Sequence, residues 1–336
     1  MSSLFTNSWR TWRPALFGGL LVALGASQEA TAQRVLWADD TQVPVAARST
    51  TSALRQFRPV AFQLAAVRDA LQKAPAEKGA GARNSSTVIS LPLPDGSSQR
   101  FRVVQVPVMH PSLAARFPEI KTYEAQGIDD PAATARLDVS PAGFHAMIMG
   151  AQGKTTYIDP AVQGDNVHHL VFDRQSMNQV AMGRACLNSE QEAIDLPQPT
   201  EFKRIPNGTQ LRTYRLALAC TGEYAATKGG TKAGALAGMV TTMNRVNGVY
   251  EKEVAVRMVL IANNDQIIYT DAAADPFTND DGFVLLNENQ RTISTIIGDA
   301  NYDIGHVFST GGGGVAQKPS VCMPVNATYT QGKARG

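Results

Sequence analysis

The sequence predicts an α/β protein with a β-rich first part and a second part in which strands and helices alternate. Short apolar runs broken by Pro, Gly and Asp fill residues 87–173, a pattern typical of an antiparallel sheet. From Leu211 the order becomes strand, helix, strand, helix, strand, which predicts parallel strands joined by crossovers. The last strand enters four consecutive glycines, so we expect a glycine-rich edge strand that makes the second sheet mixed.

Length and charge limit the classes of function. The chain has 336 residues, more than one hydrophobic core usually supports, so we expect two folded units. Its net charge is +2 and 18% of its residues are charged, without a basic block or an acidic tail. This composition does not favour a nucleic-acid partner. It predicts no particular oligomeric state.

The N-terminus has the pattern of a cleavable signal peptide over residues 1–32. Basic Arg10 and Arg13 precede an apolar run over residues 15–24, and small residues follow up to Ala32. The run is well short of the roughly 20 residues that a membrane-spanning helix needs. No later stretch is long and apolar enough to span a bilayer. We therefore expect a secreted or periplasmic protein.

Residues 33–86 are expected to form a lead with one helix and a flexible linker. Apolar residues recur at helical spacing between Pro59 and Lys73, and residues 74–86 are rich in Gly, Ala and Ser. The β unit, residues 87–185, should close a small core of its own. Residues 186–210 then read as an exposed connector rich in Pro and charge. Its basic pair, Lys203 and Arg204, is a hypothetical processing site.

The elements of the second part are predicted from apolar periodicity. Strands are expected over residues 211–219, 254–262 and 304–308, and helices over a segment ending near Lys252 and over residues 282–297. Asp280 or Asp281 should cap the second helix and Gly298 should end it. The residues expected to point inward from the helices are Leu236, Val240, Met243, Val246, Tyr250, Leu286, Ile293, Ile296 and Ile297.

The glycine run after the last strand is the candidate substrate-binding segment. Consecutive glycines leave backbone N–H and C=O groups bare, and an extended peptide can pair with them as an added strand. The residues predicted to bind substrate are Gly311, Gly312, Gly313, Gly314 and Val315. A phosphate-binding loop is the weaker reading, because Lys318 is followed by Pro319 and by no helical pattern.

Two stretches of the second part carry a family resemblance. TYRLALACTGEYAATKGG and NYDIGHVFSTGGGGVA resemble the first half of the catalytic domain of secreted bacterial reprolysin-like zinc metallopeptidases, in the metzincin clan. The β-unit stretch PEIKTYEAQGIDDPAATARLDVSPAGFHAMI is similar to the propeptide of the same proteins. The resemblance implies a propeptide over residues 87–185 and a metzincin-like domain over residues 211–336. It also implies zinc as the cofactor of the complete domain and a protein or peptide substrate.

The zinc motif of that family, HExxHxxGxxH, does not occur in the sequence. The motif places two histidines on one helical face, and its glutamate acts as general base on zinc-bound water. None of the five histidines begins such a motif. His306 is expected to be a strand histidine, and the adjacent His168 and His169 should point to opposite faces of a strand. We therefore expect no catalytic residue and no metal ligand in this chain, which would end before the motif as a fragment, a frameshift product or a degenerate homologue.

The three cysteines are an odd number for an exported chain. The family resemblance makes Cys186 a candidate latency thiol, since a thiolate is a good zinc ligand. A disulfide or a buried thiol is the plainer interpretation of Cys186. Cys220 and Cys322 are a candidate disulfide, although Cys322 could also have a partner elsewhere.

Two classes of function remain. The first is a zinc-dependent metalloendopeptidase zymogen that hydrolyses peptide bonds, here cut off before its zinc motif and inactive as encoded. The second is a secreted, non-catalytic peptide- or protein-binding module that keeps the peptide-pairing edge.

Overall fold

The computed structural model describes residues 36–77, 81–178 and 210–336. The signal-peptide segment and most of the connector, including Cys186, Lys203 and Arg204, lie outside the described residues. Among the described residues, no helix is both long enough and apolar enough to cross a membrane. The described parts belong to one compact unit.

The first part of the chain forms a nine-stranded antiparallel sheet with strand order β1-β2-β9-β8-β7-β6-β5-β4-β3. The antiparallel pairing predicted for residues 87–173 is confirmed, but the sheet begins earlier, with two strands from the expected lead. Its strands are β1 (Trp37–Asp39), β2 (Arg58–Phe62), β3 (Val88–Pro92), β4 (Ser98–Gln105), β5 (Lys121–Gly127), β6 (Thr134–Ser140), β7 (Gly143–Met149), β8 (Thr155–Pro160) and β9 (His168–Asp173). Short helices α1 (Arg48–Ser52), α2 (Leu64–Leu71) and α3 (Pro111–Arg116) lie between strands.

The helix expected from Pro59 to Lys73 is wrong in its first half. Residues 58–61 pair with β9, and the helix α2 begins only at Leu64. Val60 and Phe62 are both buried with one residue between them, which is the spacing of a strand. The interpretation of residues 74–86 as a linker is also wrong for its described residues. Ala74, Ala82 and Ser85 are buried there, which a solvated linker would not allow.

The two faces of the nine-stranded sheet pack against different partners. One face carries the apolar residues of the strands and packs with α2 into a single core. On the central strand β6, Leu137 belongs to that core, whereas Arg136 and Asp138 point to the other face. That second face lies against a helix from the second part of the chain.

The second part has the predicted order of strand, helix, strand, helix, strand. Its elements are β10 (Arg212–Cys220), α4 (Gly222–Thr227), α5 (Lys232–Val254), β11 (Val256–Leu260), α6 (Gly282–Ile296) and β12 (Ile304–Phe308). The three strands are parallel in the order β11-β10-β12, which confirms the predicted crossovers. Alternate residues of β10 face opposite helices, since Leu216 and Leu218 pack with α5 while Ala217 and Ala219 pack in the core that includes Ile293 of α6.

The ends of the long helices follow their local sequence. The Asp281 side chain accepts hydrogen bonds from the N–H groups of Phe283 and Val284, as expected of a helix N-cap. Gly298 follows α6 with a φ of +82°, a conformation that favours glycine. Two residues expected to point inward do not, because Tyr250 is 44% exposed and Ile296 is 38% exposed.

A short segment of the first part extends the sheet of the second part. Met109 forms a parallel bridge with Leu260 of β11. The Leu260 N–H donates to the carbonyl of Val108 at 2.8 Å, and the His110 N–H donates to the carbonyl of Leu260 at 2.8 Å. The chain is therefore layered as the nine-stranded sheet, α5, the three-stranded sheet and α6.

Candidate functional site

The glycine run lies in a cleft beside the N-terminus of α6. The cleft has a volume of about 350 Å³. It is lined by residues 279–283, 285, 286, 306–309, 311–315 and 336. The five residues predicted to bind substrate, Gly311 to Val315, therefore all face one cavity. Residues 311–313 form a bend in place of the expected edge strand, and Gly313 has a φ of +85°, outside the extended range.

The bend is held by side chains at the start of α6. Asn279 accepts a hydrogen bond at Oδ1 from the Thr310 N–H at 3.0 Å and donates from Nδ2 to the Thr310 hydroxyl at 2.8 Å. A Cβ atom at Gly311 would lie 2.6 Å from the Asn279 carbonyl oxygen, so only glycine fits there. By contrast, a Cβ atom at Gly312 or Gly314 would meet no heavy atom within 4 Å. The backbone at these two glycines is therefore open on the side where a side chain would stand.

The outer edge of β12 is already paired. The Gly305 N–H donates to the Lys333 carbonyl at 2.7 Å, and the Val307 N–H donates to the Gly336 carbonyl at 3.2 Å. These bonds occupy the two N–H groups that the outer edge of β12 would offer to a peptide. The N–H side of this edge is therefore already used within the chain.

Sequence reasoning missed the contribution of α6 to the cleft. Phe283, 72% exposed, and Asp281 line it beside the glycines. The Asn-Asp-Asp-Gly stretch at residues 279–282 predicts the start of a helix. It does not predict that this end of the helix contacts Thr310 and the glycine run. An exposed aromatic ring and a bare backbone in one cleft suit an extended peptide with an apolar side chain.

His306 also lines the cleft, and its ring contacts Phe308 edge-on with centroids 5.5 Å apart. Burial lowers the pKa of His306, so the ring is neutral at physiological pH. His168 and His169 point to opposite faces of β9: His168 pairs with Asp165 at 2.9 Å, whereas His169 packs on the ring of Phe62. The three histidines thus make separate contacts, with Phe308, Asp165 and Phe62 respectively.

The described residues do not fit a zinc ion. No group of three or more His, Cys, Asp or Glu side chains within residues 36–77, 81–178 and 210–336 is arranged to hold a metal. Zinc chemistry is therefore not assigned to any residue of the described parts.

The disulfide predicted between Cys220 and Cys322 is wrong. Both thiols are free, Cys220 buried and Cys322 exposed. Cys220 pairs with Phe308 at one end of the β10–β12 ladder, while the Cys322 N–H bonds the Asp303 carbonyl just before the other end. Five residues of strand separate these points by roughly 16 Å, well beyond the reach of a disulfide. The latency role of Cys186 stays a prediction.

The comparisons with known proteins decide the family of the second part. Residues 210–333 match the family model described as Metallo-peptidase family M12B Reprolysin-like. This segment is a reprolysin-like metallopeptidase domain. The match contains β10 to β12, both long helices and the whole glycine run, and it covers less than half of the chain. No curated protein matches the chain.

The match supports the kind of activity that the sequence resemblance implied. A domain of this family is a metallopeptidase, a protease that hydrolyses peptide bonds and generally uses zinc.

Proposed function

We propose that this chain is the propeptide and the N-terminal part of the catalytic domain of a secreted zinc-dependent metalloendopeptidase. The family match over residues 210–333 is the observation that carries this proposal. The β-rich unit, residues 87–185 together with the strands that precede it, is the proposed propeptide. The signal-peptide pattern in residues 1–32 supports export to a secreted or periplasmic location.

The glycine run is the proposed contact with a protein or peptide substrate. The open backbone at Gly312 and Gly314 can pair with an extended peptide, and the exposed ring of Phe283 can pack against one of its side chains. The net charge of the chain is only +2, and the proposed recognition rests on backbone pairing and apolar contact. Nucleic acid is not among the proposed partners.

The 336 residues are proposed to bind no catalytic zinc and to cleave no peptide bond by themselves. The sequence contains no HExxH, and the described residues offer no alternative metal group. Binding of substrate can persist without cleavage, because the proposed contact uses the backbone of the glycine run and needs no metal ion. A non-catalytic, secreted peptide-binding module is therefore the second candidate, favoured by the same cleft.

A peptide titration tests the proposed contact. The oxidised insulin B chain, a general protease substrate, is expected to bind the purified chain, and Gly312→Val should weaken this binding about tenfold by crowding the approaching backbone. Gly150→Val is the matched control, since Gly150 is an extended residue of the first part, with φ −81° and ψ −176°. Equal affinity of both variants would remove the glycine run from the proposal.

Reading the coding DNA past the codon for Gly336 separates the two candidates. An HExxHxxGxxH motif there, in frame or after a frameshift, supports the metallopeptidase. A reading without the motif supports the binding module.

A further inference from the structure

The reprolysin-like domain meets the nine-stranded sheet through α5 and β11. The helix α5 lies on the face of the three-stranded sheet opposite α6, since Leu236 of α5 and Ile293 of α6 belong to different cores, and β11 is an edge strand of that sheet. The residues that line the glycine-run cleft all come from positions 279–336. None of residues 36–178 lines the cleft.

The first feature of this contact is a shared sheet and core. Residues 108–110 supply an added parallel strand to the outer edge of β11. Leu113 of α3 and Ile120, just before β5, are both buried in the core that α5 forms with β10 and β11. Removing residues 36–178 would expose the edge of β11 and part of that core to water.

The second feature is a buried network of charges. The guanidinium of Arg257 on β11 binds Glu77 of the first part at 2.6 Å and Glu251 of α5 at 2.7 Å. Arg136 of β6 binds the same Glu251 at 2.5 Å and lies 3.6 Å from Glu124 of β5. The side chains of Arg136 and Arg257 are only 5% and 8% exposed. Separation would leave Arg136 without Glu251 and Arg257 without Glu77.

The third feature is a set of buried hydrogen bonds around Asp138 of β6. Asp138 is 2% exposed and accepts a hydrogen bond from the Thr241 hydroxyl of α5 at 2.7 Å. His145 of β7 lies 3.1 Å from the same carboxylate. Beside them, the Asn244 side chain of α5 donates to the Leu137 carbonyl at 2.8 Å. The bonds of Thr241 to Asp138 and of Asn244 to Leu137 would be lost if the two parts came apart, whereas His145 and Asp138 would stay together.

We infer that the α5–β11 face is a binding surface for residues 36–178 that outlasts cleavage of the connector. After a cut between residues 178 and 210, the two pieces remain one non-covalent complex, and the glycine-run cleft stays clear of the first piece. Removal of the connector and departure of the β-rich piece are thus separate events. The inference does not depend on peptidase activity, so it stands or falls apart from the proposed function.

The test uses the full chain with a recognition sequence for a site-specific protease placed at Lys203–Arg204. After complete cutting, both pieces are expected to elute together in size-exclusion chromatography at micromolar concentration and to separate only in denaturant. Separate elution in native buffer would overturn the inference.

Two variants test whether the described contacts hold the pieces together. Arg257→Gln should raise the dissociation constant of the cut pieces at least about tenfold, and Thr241→Val should raise it by a smaller factor. Arg100→Gln is the matched control, because Arg100 pairs with Asp129 on the surface of the first part, with 56% of its side chain exposed. Thr241→Val keeps the test valid if Arg257→Gln does not fold. Cut variants that bind as tightly as the control would contradict the assignment of the surface.

Discussion

At Arg257, both parts of the chain supply a carboxylate to one guanidinium. Glu77 comes from the segment after α2, and Glu251 comes from the last turns of α5. The hydrogen bond from Arg257 lowers the pKa of Glu77. This effect is larger than the opposite effect of burial, which raises the pKa. Burial raises the pKa of Glu124, which lies near the same network. Two glutamates of one interface thus respond to pH in opposite directions.

The variant Glu77→Gln should reduce the free energy of unfolding at pH 7 by about 1–3 kcal/mol, because it removes a charged hydrogen-bond partner of buried Arg257. A lowered folded-state pKa means that the ionised Glu77 stabilises the protein above its ordinary pKa of 4.5. That contribution is lost as the pH falls through the lowered value. Urea unfolding at several pH values should show the variant and the wild type converging as the pH falls below 4.5 and through the lowered pKa of Glu77.

The surface carboxylate of Asp129 provides a control for this measurement, and Asp129→Asn should leave stability nearly unchanged. Glu124→Gln should have the opposite sign to Glu77→Gln. The raised pKa of Glu124 means that its contribution is present at acid pH and is lost as the pH rises through the raised value. This variant is therefore expected to be at least as stable as the wild type at pH 7. A loss of stability at pH 7 in Glu124→Gln would contradict the assigned environment.

Cys220 and Cys322 should differ strongly in reactivity. Burial raises the pKa of Cys220 from 9.0 to about 12, which reduces its thiolate about a thousandfold. Cys322 is exposed. In a Cys186→Ser background at pH 8, iodoacetamide should label Cys322 and leave Cys220 unmodified until the protein is unfolded, as read by mass spectrometry. Equal labelling of both in the native protein would show that the environment of Cys220 is wrong.

At the scale of elements, the second part could be predicted closely from its sequence. The strand Ile304–Phe308 and the helix from Gly282 agree with the structure because apolar periodicity, the Asp281 cap and Gly298 all point to the same boundaries. The strand β2 could not be predicted in this way. Val60, Leu64 and Val67 satisfy helical spacing, and only pairing with the distant β9 decides that Val60 is in a strand.

The candidate site was predictable only in part. Four consecutive glycines after an apolar strand are a local signal, so the run itself was found. The contacts that shape its surroundings are not local: Asn279 and Thr310 are 31 residues apart. The interface pair of Arg136 and Glu251 spans 115 residues. The sequence around two single charged residues does not predict that they form an ion pair when they are this far apart in the chain.

At the scale of the whole molecule, α5 is covered on both sides, by the nine-stranded sheet and by the three-stranded sheet. A polypeptide of residues 210–336 alone would expose part of the core that α5 forms with β11. It would also expose Thr241 and Glu251 of α5, which bind Asp138 and Arg136 in the full chain. We expect this isolated piece not to unfold cooperatively on heating, whereas the full chain does. Calorimetry of both proteins checks this, and a sharp transition of the isolated piece would show that the first part is dispensable for folding.

The most direct test of the account is a peptide titration followed by NMR on the full chain labelled with 15N-glycine, in the presence of zinc. The account predicts that the oxidised insulin B chain shifts the amide signals of Gly312 and Gly314, leaves distant Gly150 unchanged, and remains intact in the same sample. Unshifted signals from the glycine run would contradict the proposed contact with substrate. Chelator-sensitive cleavage of the peptide would contradict the claim that these 336 residues lack the catalytic centre.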